Sequence, residues 1–395
     1  TFDRQTLSRG CRFLGNVEVG TDITHAELME HYTAVVYATG AQTDKSLGIP
    51  GEDLPGSCAA TEFVAWYNGH PDYRELEFDL SGRRAVVIGN GNVAADVTRI
   101  LTRSTEELER TDIADHALAA LRDSRIEEVV VLGRRGPAQA AFTSAELREL
   151  GNLDGVDLRI DPADVELDPI SEGWLAERGT FTARTNMALL REFAARPARP
   201  GARSAIELRF LTSPLRIRGE GRVEAVDVGA NEIVRGDDGL LRARALDADP
   251  QTIECGFVLR SVGYRAVALP GVPFDERSFV LPNERGRVST PDGELLPGVY
   301  AVGWIKRGPT GILGTNKRDA EETIGCLAED LATLAPAARP QREQIDALLA
   351  ERRPDIVTAA GWRAIDRDER ERGREARRPR VKLASRDELL AAAAR

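Results

Sequence analysis

Long apolar runs, paired cysteines and metal-ligand spacings are all missing from this 395-residue chain. No stretch approaches the roughly 18 apolar residues that span a bilayer, so no membrane-embedded role is expected. No secretory signal opens the sequence. The four cysteines, Cys11, Cys58, Cys255 and Cys326, include no CxxC pair. That argues against a dithiol redox centre or a thiolate zinc site and suits a reducing, cytoplasmic setting. The four histidines (His25, His31, His70, His116) are scattered, and neither HExxH nor GxSxG occurs. Metallohydrolase and serine-triad chemistry lose their basis. Positive charge is in deficit, with 53 Lys+Arg against 64 Asp+Glu and a net charge of −11. Such a chain is a poor general binder of nucleic acid.

What is present is the composition of a globular protein with a large core: 42% apolar and 30% charged residues. The length points to two or three domains. Cys11 to Val19 reads as a strand and a turn, and Tyr32 to Ala41 as a buried strand ending in small residues. Ile49-Pro50-Gly51 and Leu54-Pro55-Gly56 read as a linker between domains. A βαβ pattern follows. Ala85 to Ile88 is a buried strand, Gly89 to Ala94 a glycine-rich turn, and Val93, Val97, Ile100 and Leu101 repeat at helical spacing. Val129 to Leu132 is the next buried strand and runs into Gly133-Arg134-Arg135-Gly136-Pro137. From about 156 to 263, strands over Ile206–Ile217, Val223–Val228 and Ile253–Leu259 surround a helix near Met187–Phe193. Val299 to Gly303 is another buried strand. The helix after Gly311 is expected to bury Ile324, Leu327 and Leu331 on one face.

Gly89-Asn90-Gly91-Asn92-Val93-Ala94 matches GxGxxA between a strand and a helix. Gly89 permits the tight turn, Gly91 lets backbone approach a pyrophosphate, and Ala94 lets helix and strand pack closely. The helix N-terminus offers N–H groups and positive dipole to phosphate. An NAD site would place a carboxylate at the end of the second strand, to accept from ribose hydroxyls. This strand ends in Arg134-Arg135. Two guanidiniums attract a 2′-phosphate and can fork onto its oxygens, which predicts NADP(H). The alternative is a solvated basic turn in an Arg-rich chain. Thr143-Ser144-Ala145-Glu146 is a capping box by pattern, so Glu146 stands as either a cap or a ligand contact. The glycines of Lys306 to Gly314 would admit a flat ligand close to backbone, although by itself this is only a Gly-rich loop.

Taken together, "VVIGNGNVAADVTRIL", "VVVLGRRGPAQAAFTSAELREL" and "VYAVGWIKRGPTGILGTNK" resemble the adrenodoxin reductase-type NADPH–ferredoxin reductases. "AVVYATGAQ", "GIPGEDLPGS" and "RPRVKLAS" fit in the same order. The resemblance implies an α/β protein with two dinucleotide-binding, Rossmann-like domains. The NADP domain (44–258) would be inserted into a split FAD domain (1–43 and 259–395). It implies an FAD-dependent enzyme that takes hydride from NADPH and passes single electrons to a ferredoxin-type acceptor. By motif, Asn90, Gly91, Asn92 and Val93 would hold the NADP pyrophosphate, Arg134 and Arg135 its 2′-phosphate, and Glu146 would contact the NADP. Trp304, Gly311, Ile312 and Leu313 would line the FAD, with Gly311 also near the nicotinamide. Val17 would touch the adenine through its backbone. Glu149 matches an acidic residue near the nicotinamide and is the candidate catalytic group. Lys306, Arg307, Lys317 and Arg318 read either as a basic face that would dock the acidic partner or as solvated helix-end charges.

One departure is large. The first βαβ unit of the FAD domain, with its own GxGxxG, is absent from the sequence, which opens at Thr1. About 65–75 residues of such a protein would precede this point. The expectation is an N-terminal segment missing from this sequence or supplied as a separate fragment. Three rivals remain. A glutamate synthase small-subunit plan would need iron–sulfur cysteine clusters, and thioredoxin reductase chemistry would need a CxxC. The third is an NADP-binding module without flavin catalysis.

Overall fold

The computed structural model of the chain describes residues 10–311 and 313–395. Two compact units emerge. A flanking unit comprises the chain through Lys45, Gly263–Asp368 and Asp387–Arg395; a central unit comprises Ser46–Val262 and Glu369–Arg386.

The flanking unit includes helix α1 (His25–His31), started by a reciprocal cap between Thr24 and Glu27, and strand β1 (Val35–Tyr37). The chain then enters the central unit through the Pro- and Gly-rich stretch. Buried Glu52 takes the N–H groups of Leu47 and Gly48 at 2.6 and 2.7 Å and lies 3.4 Å from Arg260, so this stretch is pinned.

The central unit runs β2 (Ser57–Ala59), α2 (Ala60–Tyr67), β3 (Arg84–Ile88), α3 (Asn92–Thr102), α4 (Asp115–Arg122) and β4 (Glu128–Leu132). It continues with α5 (Ser144–Gly151), β5 (Val156–Ile160), α6 (Phe181–Ala194) and β6 (Ser204–Arg209). Four antiparallel strands interrupt it, β7 (Thr212–Arg218), β8 (Ala225–Arg235), β9 (Leu241–Ala245) and β10 (Gln251–Glu254), before β11 (Phe257–Arg260). Strands β2–β6 and β11 form one parallel sheet in the order β2-β11-β3-β4-β6-β5.

The reason for this layering is visible in the strands. A strand's side chains alternate between faces. Ala85, Val87, Val129 and Val131 pack into the helical layer with Phe63, Trp66, Leu101 and Leu147. Their neighbours Val86, Ile88, Val130 and Leu132 pack against Ile217, Val226, Val228 and Ile253 of the antiparallel sheet. Both faces are covered, which is why the strands read as unbroken apolar runs. Each fully buried Val or Ile there contributes about 1.5–3 kcal/mol.

Two expected strands are each split. The stretch Ile206–Ile217 breaks at Leu211, whose φ is +51°, into β6 of the parallel sheet and β7 of the antiparallel one. Ile253–Leu259 likewise divides between β10 and β11. Alternation alone does not reveal that a strand changes sheets.

Back in the flanking unit, β12 (Asn283–Glu284), β13 (Arg287–Ser289) and β14 (Leu295–Ala301) join β1 in the order β12-β13-β14-β1. β1 pairs in parallel with β14 and is an edge strand among the described residues. Helices α7 (Leu313–Asp330) and α8 (Ala359–Ala376) follow. The face of α7 differs from expectation. Thr323 and Cys326 are buried, while Ile324 and Leu331 are 48% and 51% exposed. The buried stripe follows a threonine whose hydroxyl donates to the carbonyl of Ala301 at 3.1 Å, a partner that hydropathy cannot show.

The segment Glu369–Arg386 clusters with the central unit, whereas the sequence reading placed it in the flanking one. Its anchors are ionic and distant in sequence. Arg378 binds the carbonyl of Thr111 and the carboxylate of Asp115, Lys382 lies 3.3 Å from Asp112, and Arg386 2.6 Å from Asp72.

Candidate functional site

The glycine turn closes β3 and opens α3. Gly89 has φ +127°, and a Cβ there would strike the carbonyl oxygen of Ser261. Its N–H donates to the carbonyl of Leu132 at 2.8 Å, which ties the end of β3 to the end of β4. Gly91 caps α3 with extended backbone, φ −102° and ψ −175°. Beyond its chain neighbours and its own helix, the nearest atom to a Cβ there among the described residues is Ala141 Cβ, at 3.9 Å. Packing within the protein therefore does not demand a glycine at 91, and the open space fits close approach by a ligand. Ala94 is fully buried against the sheet. Val93 is half-buried in the first turn of α3, where the helix leaves N–H groups unsatisfied. Asn92 uses its side-chain oxygen to accept from Thr143 N–H at 2.8 Å. Asn90 places its Nδ2 in a buried position with no hydrogen-bond partner. A buried amide left unpaired costs about 1–3 kcal/mol, so this atom fits an acceptor brought by a ligand.

Arg134 and Arg135 follow β4 and are both exposed. Their neighbourhood is full of paired arginines: Arg209 lies 2.7 Å from Glu207, Arg216 2.9 Å from Asp227, and Arg244 2.7 Å from Glu232. Among the described residues, neither Arg134 nor Arg135 has a carboxylate partner. Desolvation and the like charge of Arg134 lower the pKa of Arg135. Two adjacent cations without a counter-charge are suited to a dianion. Gly133, which the sequence reading did not single out, joins this pair to the turn. A Cβ on it would overlap Asn90 Nδ2.

The carboxylates lie on α5. Thr143 caps this helix through its hydroxyl, accepting from Glu146 N–H at 3.4 Å. The expected capping box does not close, because the N–H of Thr143 is taken by Asn92. Glu146 instead sits 3.2 Å from Arg99 with a buried oxygen outside hydrogen-bonding geometry. Glu149 is held between Arg99 at 2.5 Å and Arg103 at 2.8 Å. Arg99 also meets Asp96 at 2.5 Å. It was invisible as a site residue in the sequence because two of its partners, Glu146 and Glu149, lie on another helix.

In the flanking unit, Gly303, Gly308 and Gly311 have φ of +73°, +81° and +84°. A Cβ at Gly311 would lie 2.8 Å from Thr315. Trp304 follows Gly303; its indole Nε1 is buried and unpartnered, and its ring lies 5.2 Å from that of Tyr264. Leu313 opens α7, and Ile312 lies outside the described residues. Val17 is half-buried, and its side chain packs with Ile23, Ile345 and Leu349, which leaves its backbone as what it can offer. The expected basic face changes. Lys306 is buried, 2.8 Å from Glu322 and 3.0 Å from Asp319, while Arg307 turns to Thr310 and Asn316. Lys317 and Arg318 remain exposed. Hydropathy gives every lysine a surface position and cannot anticipate a buried one paired twice.

No family model matches the chain. Curated relatives do. The chain is 51% identical over 392 residues to the NADPH-ferredoxin reductase FprA of Mycobacterium leprae, covering 98% of this chain and 84% of the relative. It is 40% identical over 410 residues to the mitochondrial NADPH:adrenodoxin oxidoreductase of Arabidopsis thaliana, covering all of this chain and 83% of that one. Among solved structures, Mycobacterium tuberculosis FprA in complex with NADPH matches with a TM-score of 0.93 and 48% identity, over 100% of this chain and 86% of the other.

Proposed function

Because the chain belongs to the adrenodoxin reductase-type NADPH–ferredoxin reductases, we propose that its central unit holds NADP(H) and its flanking unit contributes to holding FAD. The protein is an NADPH-dependent oxidoreductase whose FAD, when bound, accepts hydride from NADPH and gives up electrons singly to a ferredoxin-type iron–sulfur protein.

The work of the chain's own residues is placement. The N–H groups at the start of α3, with Asn90 through Val93, hold the pyrophosphate, and Gly91 keeps side-chain atoms out of its way. Arg134 and Arg135 neutralise the 2′-phosphate. Glu146 accepts from the nucleotide with the oxygen that has no hydrogen bond in the protein. Glu149, held by Arg99 and Arg103, acts through its position and charge. On the flavin side, Trp304 Nε1 offers a donor and the Gly311–Leu313 backbone gives close approach, with Val17 backbone meeting the adenine. We place the protein in the cytoplasm; its cysteines, all free, accord with a reducing compartment.

The observation that carries the NADP(H) reading is the unpaired Arg134–Arg135 beside the glycine turn. Calorimetric titration with 2′,5′-ADP and with 5′-AMP tests it. Preference for the doubly phosphorylated nucleotide is expected, and equal affinities would remove the assignment.

A further inference from the structure

The carbonyls of Gly133, Arg134 and Arg135 each accept from a donor on the antiparallel excursion or the turn leading into it. Thr212 N–H donates to the carbonyl of Gly133 at 3.0 Å, and Leu211 N–H to that of Arg135 at 3.2 Å. The middle carbonyl, of Arg134, accepts from the side chain of Asn231 at 3.0 Å. Asn231 lies on β8, is buried, and donates its second Nδ2 hydrogen to Ser213 Oγ at 2.8 Å. Its own N–H donates to the carbonyl of Leu211 at 2.7 Å, which steadies that turn as well. One asparagine thus braces both sides of the clamp.

We propose that Asn231 is a specificity-determining positioning residue: by fixing the Arg134 carbonyl it holds two mutually repelling guanidiniums where a 2′-phosphate can meet both. The inference rests on the NADP(H) reading above. Its physical basis is preorganisation. Arg side chains lose rotamer freedom on binding, and like charges side by side drive a free loop apart. A backbone fixed in advance removes part of that cost only for a ligand that uses the arginines. A nucleotide without the 2′-phosphate does not draw on it. The antiparallel sheet therefore has a role beyond covering Val86, Ile88, Val130 and Leu132.

The discriminating experiment compares 2′,5′-ADP and 5′-AMP binding in the whole chain, in Asn231→Asp and in Asn231→Ala, with Arg134→Ala alongside. Aspartate keeps the size of the side chain and removes the donor. Both Asn231 variants are expected to lose about fivefold in affinity for 2′,5′-ADP with 5′-AMP affinity unchanged. Equal losses for the two nucleotides, or no binding of either, assign Asn231 to the fold and overturn the proposal, as does an unchanged preference. If Arg134→Ala also leaves the preference intact, the 2′-phosphate reading itself has failed; if only the Asn231 variants do so, that reading stands and this inference falls.

Discussion

Asn90 Nδ2 occupies the space that a Cβ at position 133 would need, so with Asn90 in this position the turn after β3 and the arginine loop after β4 meet against a glycine. The contact joins the glycine turn and the basic pair. It also separates two glycines that look alike in sequence, since a Cβ at Gly133 would press on Asn90 and one at Gly91 would meet open space.

That contrast is testable. Gly91→Ala is expected to cost about 0.5–1 kcal/mol of stability through the poorer N-cap, yet to weaken NADPH and NADH alike by at least about tenfold. Gly133→Ala is expected to cost more stability, about 1–3 kcal/mol, because Asn90 must move. Denaturant melts with nucleotide titrations check both. Normal nucleotide affinity in Gly91→Ala would show that the open space is not a ligand's.

Arg134→Ala should weaken NADPH binding by about 1.5–3 kcal/mol and leave NADH nearly unchanged. Titration calorimetry with both nucleotides reads this directly. Equal losses would refute a 2′-phosphate contact.

Arg99 gathers Asp96, Glu146 and Glu149 from two helices. Arg99→Met should destabilise the protein by about 2–3 kcal/mol, because carboxylates are left facing one another. Glu149→Gln should be milder in stability and leave turnover with a ferredoxin-type acceptor within about threefold. A turnover loss of a hundredfold would restore Glu149 as a proton-transfer group.

Glu27 on α1 pairs with Arg352 at 2.7 Å and accepts from Thr24 N–H. Arg352 first, and Thr24 second, hold its carboxyl down at about 2, against an ordinary 4.5. A lowered carboxyl pKa means stability that is present above the ordinary value and lost as pH falls through the lowered one. Wild type should therefore melt above Glu27→Gln near neutrality, and the gap should close between pH 4.5 and about 2. A gap that is constant with pH would mean the pair contributes no charge interaction.

Thiol reactivity follows burial. Burial raises Cys58 to about 11 and Cys255 to about 12, and Cys326 is fully buried, while Cys11 is exposed. Maleimide at neutral pH should label one site, Cys11, in the native protein. Rapid labelling of Cys58 would contradict its packing.

Much of the central unit was legible in the residues. The apolar runs Ala85–Ile88 and Val129–Leu132 announced buried parallel strands, and GNGNVA announced the turn between strand and helix, because both depend on local backbone requirements. Arg134 and Arg135 were legible for the same reason: they close a strand whose end is readable. The fate of Glu146 was not. Its capping box was lost to Asn92, a competitor fifty-one positions from Thr143. The split of Ile206–Ile217 at Leu211, the burial of Lys306, and the exposure of Ile324 were equally out of reach.

The sequence by itself determined the periods of its strands and helices, the glycines that tight turns demand, and the sign of charge at the end of β4, since each is a property of neighbours along the chain. Tertiary structure alone decided which carboxylates Arg99 would gather, which amide Asn231 would brace, and which buried atoms of Asn90 and Trp304 would be left without a partner. Hydrogen bonds and ion pairs reach only about 3 Å, so a polar group's partner is settled by which distant segments the packed core brings within that reach.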